Sequence, residues 1–463
     1  MLTQDKAEEV FERIRKYSQA DELDVLITGG TSSLTRFANN TVTQNVSEEN
    51  YVISIRSVFS GRTARSTTNR FDDESLKRAV KGSESLAQVQ EKDPELLPVA
   101  EPTAFSRNGF PEVGRAFFET ASRTPEDRAQ AVDAMVKIAK KHNLTAAGIV
   151  SNSETVDAVL NSRGLVAYYT GTSADMSVTM LAPDSSGWQK VNSPDVRQLD
   201  PVVLAETAAQ KAIESVKPRE ISAGKYTVIL EPAAVLDLLG FMFWDWGGLA
   251  ILDQRSFLNN RVGTKLFGGN ITIYDDVYHA LQSGPPFDGE GVRRQRVELV
   301  ENGVVKNLVY ARGTAEKIKR SPHAAKLGEV RPTGHGLPLP NELGEIPLNI
   351  VFQGPPAGQA KSVEQMIAST DRGILVTRLW YIREVDPYEK ILTGMTRDGT
   401  FYIEGGKLRH GLRNFRFNES LIHMLSNVEQ MSEPARASGE ESFDMVVPAM
   451  KVRDFNFTEV TKF

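Results

Sequence analysis

The sequence contains no cysteine. That absence excludes disulfides, thiol nucleophiles, and zinc or iron–sulfur centres held by thiolates. Positive charge is outweighed as well, with 54 Lys and Arg against 60 Asp and Glu and a net charge of -6. No bulk basic field exists to draw in nucleic acid or anionic membrane, so neither is expected as a partner. The six histidines are His142, His279, His323, His335, His410 and His423. No two share the spacing that a two-His zinc site on one helix needs. His335, inside Thr333-Gly334-His335-Gly336, has the most distinctive surroundings. Nucleotide and hydrolase signatures are missing too. ITGGTSS follows a strand but lacks the lysine of a phosphate loop and the spacing of a dinucleotide fingerprint, and there is no GxSxG elbow.

What remains is ordinary globular material: 463 residues, 40% hydrophobic and 25% charged. That length predicts about three units, or two larger ones. The N-terminus is charged, with Val10, Ile14 and Tyr17 at helical spacing, which predicts an amphipathic helix rather than a secretory leader and a cytoplasmic protein. Strands follow through TRFANNTVTQN and YVISIRSVFSGRTARST, then a helix over DDESLKRAVKGSESLAQVQ. Pro94, Pro98, Pro102 and Pro111 mark residues 92–115 as an extended connection. Thr124 and Pro125 are suited to the N-cap and first turn of a helix. Two alternating strand segments and the helix LAETAAQKAIESV lead to a boundary near residue 220.

Beyond that boundary the pattern becomes β-rich. Hairpins are predicted at Asn302-Gly303 and Gly405-Gly406, where positive φ is tolerated. The fold class is therefore α+β. An N-terminal mixed α/β-layer domain (residues 1–220) precedes a β-rich, barrel- or sandwich-like domain (residues 221–463). SPHAAKLGEVRPTGHGLPLP reads as a long loop, and the basic run RRQR at 293–296 as a solvated strand edge.

Two segments carry candidate chemistry. The apolar stretch at 233–252 is interrupted by Asp237, Gly240, Asp245, Gly247 and Gly248, which favours a buried or groove-lining helix over a bilayer span. It concentrates Phe241, Phe243, Trp244 and Trp246, residue types common in cores and at interfaces. The second segment, YDDVYHALQSGPPFDGEG, gathers Asp275, Asp276, His279, Asp288 and Glu290. Paired carboxylates there could act as acid and base, or simply build a turn.

Long ordered stretches give the chain a recognisable pattern: TRFANNTVTQN, GRTARSTTNRF, VILEPAAVLDLL, GPPFDGEGVRRQRVELVENGVVKNLVY, LTGMTRDGTFYIEGGKLRHGLRNFRF and VPAMKVRDFNF. Over nearly its full length the chain resembles the TldD/PmbA family, and more closely the PmbA or TldE branch. The resemblance implies zinc-dependent peptide cleavage or maturation. In active TldD-type subunits a helix after the EPAA-like strand carries HExxxH, and a C-terminal cysteine completes the metal site. Laid on this sequence, the motif places Gly240 and Asp245 at the histidines and Phe241 at the general base. Glycine and phenylalanine can neither ligate a metal nor accept a proton.

The resemblance thus implies a non-catalytic subunit that binds no cofactor itself. It would pair with a TldD-like subunit carrying the zinc and help enclose an unfolded peptide, with a homodimer open to the chain when alone. Gly240, Phe241, Phe243, Trp244, Asp245, Trp246, His279, Asp288 and Glu290 are the candidate substrate- or partner-binding residues. Two alternatives stand beside this one: a self-sufficient hydrolase using the 275–290 cluster, and a homodimeric peptide-binding protein. The name "modulator of DNA gyrase" attached to the family finds no support in the acidic charge balance.

Overall fold

The computed structural model describes residues 1–102 and 113–461. Its first half is built on a six-stranded antiparallel sheet in the order β3-β2-β1-β4-β5-β6. The strands are β1 (Glu22–Ala38), β2 (Thr41–Phe59), β3 (Arg62–Thr68), β4 (Thr145–Asn161), β5 (Val166–Leu181) and β6 (Ser186–Ser193). The tight β1–β2 turn uses Asn39 and Asn40 at φ 52° and 60°, the left-handed pair that a two-residue hairpin needs.

ITGGTSS lies in the middle of β1, not in a loop. Gly29 and Gly30 have φ of 138° and 150°, and a Cβ on them would stand 2.2 Å from Asn50 O and 2.0 Å from Glu154 O. The glycine pair thus serves close strand packing.

Helices cover the sheet at both ends of its long strands. Helices α1 (Gln4–Tyr17) and α2 (Asp73–Val89) enclose Val25, Ile27, Ile53 and Ile55. After the short α3 (Phe118–Ala121), α4 (Pro125–Lys141) and α5 (Pro201–Glu214) enclose Phe37, Val150, Met176 and Val178. Thr124 caps α4 in a reciprocal capping box with Asp127, so two orphan donors of the first turn are satisfied. Of the expected 92–115 connection, residues 92–102 and 113–115 are neither helix nor strand, and Pro111 lies outside the described residues.

Strand β7 (Gly224–Leu230) opens the second half and runs into α6 (Pro232–Phe243). A nine-stranded sheet is ordered Leu379–Asp386, Ile391–Thr396, Phe415–Ser420, Met450–Val460, β7, Arg372–Val376, Thr400–Glu404 and Lys407–Gly411, with Val428–Met431 pairing off Met450–Val460. A second, six-stranded sheet includes Ile273–Asp275, Val297–Glu301 and Ile350–Phe352. The expected hairpins form at Asn302-Gly303 and Gly405-Gly406. Helix α6 is buried on nearly every side, and Leu236, Leu239 and Phe243 lie in the large core shared by both sheets. The fold is α+β. No described helix is long and apolar enough to cross a membrane.

The structure departs from the sequence reading at two further places. Residues 233–252 form not one helix but two, because the chain turns after Phe243 and resumes as α7 (Gly248–Leu252). Tertiary bonding holds the turn: Trp246 Nε1 donates to Asn307 O at 2.9 Å. RRQR is not a solvated edge throughout. Arg294 is 6% exposed, drawn inward toward the buried Asp275 carboxylate, whereas Arg296 lies at the surface with Glu298.

The two halves meet through side chains that reach across. Arg65 Nε donates to Leu339 O at 2.6 Å, Arg115 Nη2 to Val277 O at 2.7 Å and Lys190 Nζ to Gly439 O at 2.8 Å.

Candidate functional site

Helix α6 begins with Pro232 in its first turn, where the missing N–H costs nothing. The rest of its sequence is apolar except for Asp237, which is fully buried. Asp237 Oδ1 accepts from the Glu441 amide at 3.1 Å and the Glu440 amide at 3.3 Å, while Oδ2 has no partner. Burial, only partly offset by those amides, pushes its carboxyl up to about 7. Segment 439–442 is thereby held along the helix. Its Ser442 fills the space over Gly240, where a Cβ would stand 1.7 Å from Ser442 Oγ and 2.4 Å from Ser442 Cβ.

At the C-terminal end of α6, Asp245 forms an ion pair with Lys390. Lys390 Nζ also donates to Glu384 Oε1 at 2.6 Å and to Phe241 O at 3.4 Å, and it stands over the Phe257 ring. Its side chain is 2% exposed. Burial raises the Asp245 carboxyl and the Lys390 charge opposes that rise.

The candidate aromatics separate by burial. Phe243 and Trp246 are fully enclosed and pack against each other as tilted rings, 5.5 Å between centroids. Phe241 is half-buried, and Trp244 is 50% exposed. Of the four rings, only Phe241 and Trp244 can touch another molecule.

The acidic segment at 275–290 divides into separate arrangements. Asp275 accepts from the Asn349 amide at 2.8 Å and lies 2.9 Å from His335 Nε2. Burial opposes ionisation of Asp275, but His335 and Arg294 hold its carboxyl down at about 2. Burial likewise lowers His335 against the pull of Asp275, and the ring's Nδ1 bonds Thr333 Oγ1 at 3.0 Å.

Asp288 binds the amides of Glu290, Val292 and Gly336, each within 2.9 Å, as a turn-building aspartate does. Glu290 accepts from the Arg312 amide and pairs with its guanidinium at 3.4 Å. Burial raises both carboxyls, and their mutual repulsion adds to it for Asp288. His279 lies apart and half-buried; its Nδ1 accepts from the Leu281 amide, and burial lowers its pKa. Asp276 accepts from the Tyr278 amide at 2.9 Å, so each of the four carboxylates is engaged in a bond within the chain.

Among the described residues, no three His, Asp or Glu side chains are grouped so as to hold a metal ion. The donor set around residues 240–245 does not fit one either. Gly240 has no ligand atom, Ser442 takes its space, and the Asp245 carboxylate is already paired with an ammonium. Two residues central to this site escape sequence reasoning. Ser442 is some 200 positions from the helix it packs on, and Lys390 is an unremarkable member of a charged turn.

Fold and site together define an α+β protein in which the helix after the central strand is packed and ion-paired. Comparison with known proteins gives the family. The chain belongs to the PmbA/TldD metallopeptidases: the family model for the PmbA/TldA metallopeptidase C-terminal domain matches residues 223–459, domain 1 matches 23–87 and the central domain 119–216. Metalloprotease PmbA of Escherichia coli O157:H7 is 22% identical over 450 residues, covering 94% of this chain and 92% of its own. A metalloprotease of Methanothermobacter thermautotrophicus is 26% identical over 234 residues, 46% of this chain and 50% of its own. The crystal structure of TldE from Thermococcus kodakarensis superposes with a TM-score of 0.83 at 21% identity, covering 98% of this chain and all of that one.

Proposed function

We propose that this chain is the non-catalytic, TldE-like subunit of a zinc-dependent peptidase and works with a TldD-like partner on unfolded peptides. One observation carries the reading. The positions at which the family's HExxxH would fall hold Gly240, Phe241 and Asp245, and Ser442 and Lys390 occupy the space and charge a metal site would need. The chain has no cysteine to complete such a site. A self-sufficient hydrolase built on residues 275–290 is disfavoured, because Asp275, Asp288 and Glu290 are engaged with backbone amides and fixed cations.

The chain's contribution is then surface rather than chemistry. Trp244 is exposed at the C-terminal end of α6, a helix that packs on the sheet-edge strand Leu379–Asp386. That strand itself presents Tyr381 and Val385 to solvent, and such aromatic surfaces suit binding of a subunit or an extended peptide. The test compares the purified chain alone with the chain mixed with a TldD-like subunit of the same organism. Metal analysis and an unfolded-peptide cleavage assay should give no bound zinc and no cleavage for the chain alone, and cleavage for the mixture. Stoichiometric zinc and cleavage by the isolated chain would refute the proposal.

A further inference from the structure

Strand β2 is longer than the strand that covers its outer edge. β3 pairs only with residues 53–59, so over residues 41–50 β2 has β1 on one side and, among the described residues, no strand on the other. No backbone group of that stretch takes a described backbone partner outside the β1 ladder. Every residue in it is exposed except Val46, which is half-buried. The ladder to β1 skips only Thr43, so residues 44–50 form a regular run about 23 Å long at the rise of a strand. Such a run presents a row of free N–H and C=O groups, ready to pair with another extended chain.

The charge along this edge has one sign. Residues 44–50, QNVSEEN, contain no lysine, the side chain that most often guards a bare edge, and no proline. Glu48 and Glu49 are adjacent and so project to opposite faces of the sheet. Neither forms an ion pair among the described residues, and Glu49 only accepts from the Tyr51 hydroxyl at 3.1 Å. A strand added here meets a carboxylate on each of its faces.

We propose that residues 44–50 of β2 take up an extended peptide as an added strand, with lysine or arginine side chains favoured opposite Glu48 and Glu49. Main-chain bonds to the edge supply binding that any unfolded segment can use, and cross-strand charge pairs supply the preference. A second copy of this chain fits the edge less well. Residues 41–50 offer ten residues a side where a stable interface takes about 20–30, and both copies carry a net charge of -6. The site lies on the first sheet, apart from the α6 face, and needs neither zinc nor a TldD-like partner.

Fluorescence anisotropy of the purified full chain with an end-labelled heptapeptide of threonine and valine, carrying two adjacent central lysines, tests it. The expected result is saturable binding of one peptide per chain, about tenfold weaker when the two lysines are replaced by glutamates. N-methylation of the peptide's central amides should abolish binding, because it removes the main-chain donors while keeping the charge. In the double variant Glu48→Lys, Glu49→Lys the order of the lysine and glutamate peptides should reverse. If that variant does not fold, the two altered peptides on the unaltered chain decide. No saturable binding, binding that survives N-methylation, an order unmoved by charge reversal, or a dimer of the chain that excludes the peptide would overturn the proposal. Cleavage by the mixed subunits is read separately, so either result can fail alone.

Discussion

Ser442 occupies the position into which any side chain on residue 240 would grow, its Oγ 1.7 Å from where the Cβ would stand. A glycine inside a buried helix is otherwise a poor choice, since alanine has the higher helix propensity. The close approach of segment 439–442, fixed by Asp237, explains it. Gly240→Ala should therefore destabilise the protein by about 1–3 kcal/mol, the cost of overpacking, despite the propensity gain. Unfolding midpoints check this, and Ser442→Gly in the same chain should recover part of the loss.

Lys390 holds Asp245 and Glu384 together with a side chain only 2% exposed. Removing it leaves two carboxylates facing each other without a counter-charge. Lys390→Met should cost about 3 kcal/mol or more, and adding Asp245→Asn should reduce the penalty, since breaking one side of a buried pair costs more than removing both. A double-mutant cycle in denaturant gives the coupling directly.

Two substitutions in the aromatic segment should differ sharply in magnitude. Trp246 is fully buried and anchored through Nε1, so Trp246→Ala should cost about 3–5 kcal/mol. Trp244 is 50% exposed, so Trp244→Ala should change stability by less than about 0.5 kcal/mol. If the α6 face contacts a partner or peptide, the same substitution should weaken that binding in a titration.

Two buried carboxyls should give stability a particular pH dependence. Burial raises both Asp237 and Glu345 to about 7. In the unfolded chain such groups titrate near about 4. Between those values the folded state keeps protons that the unfolded state has released. The stability these groups lend is intact below about pH 4 and is lost as the pH rises to about 7. Asp237→Asn should flatten that decline by up to about 1.4 kcal/mol per pH unit, measured as unfolding free energy from pH 5 to 8.

Much of the fold was legible in the sequence because its signals are local. Thr124 with Pro125 marks a helix start, and Asn302-Gly303 and Gly405-Gly406 mark hairpins, each through the backbone conformation its own residues permit. The α6 segment was legible as buried and apolar, but its break after Phe243 was not, since the bond from Trp246 to Asn307 spans 61 residues. Arg294 looked like a surface residue because a basic run usually is one. Only the distant fold places it beside Asp275. Ser442, which packs on Gly240, and Lys390, which pairs with Asp245, likewise come from remote segments, so no pattern within the helix could reveal them.

The most direct measurement of the central claim is an affinity pull-down of the tagged chain from its native cells, with mass spectrometry of what is recovered in stoichiometric amount. The expected result is a partner of similar length carrying HExxxH, with zinc and peptide cleavage following that partner. Recovery of this chain alone, holding zinc and cleaving unfolded peptides by itself, would contradict it.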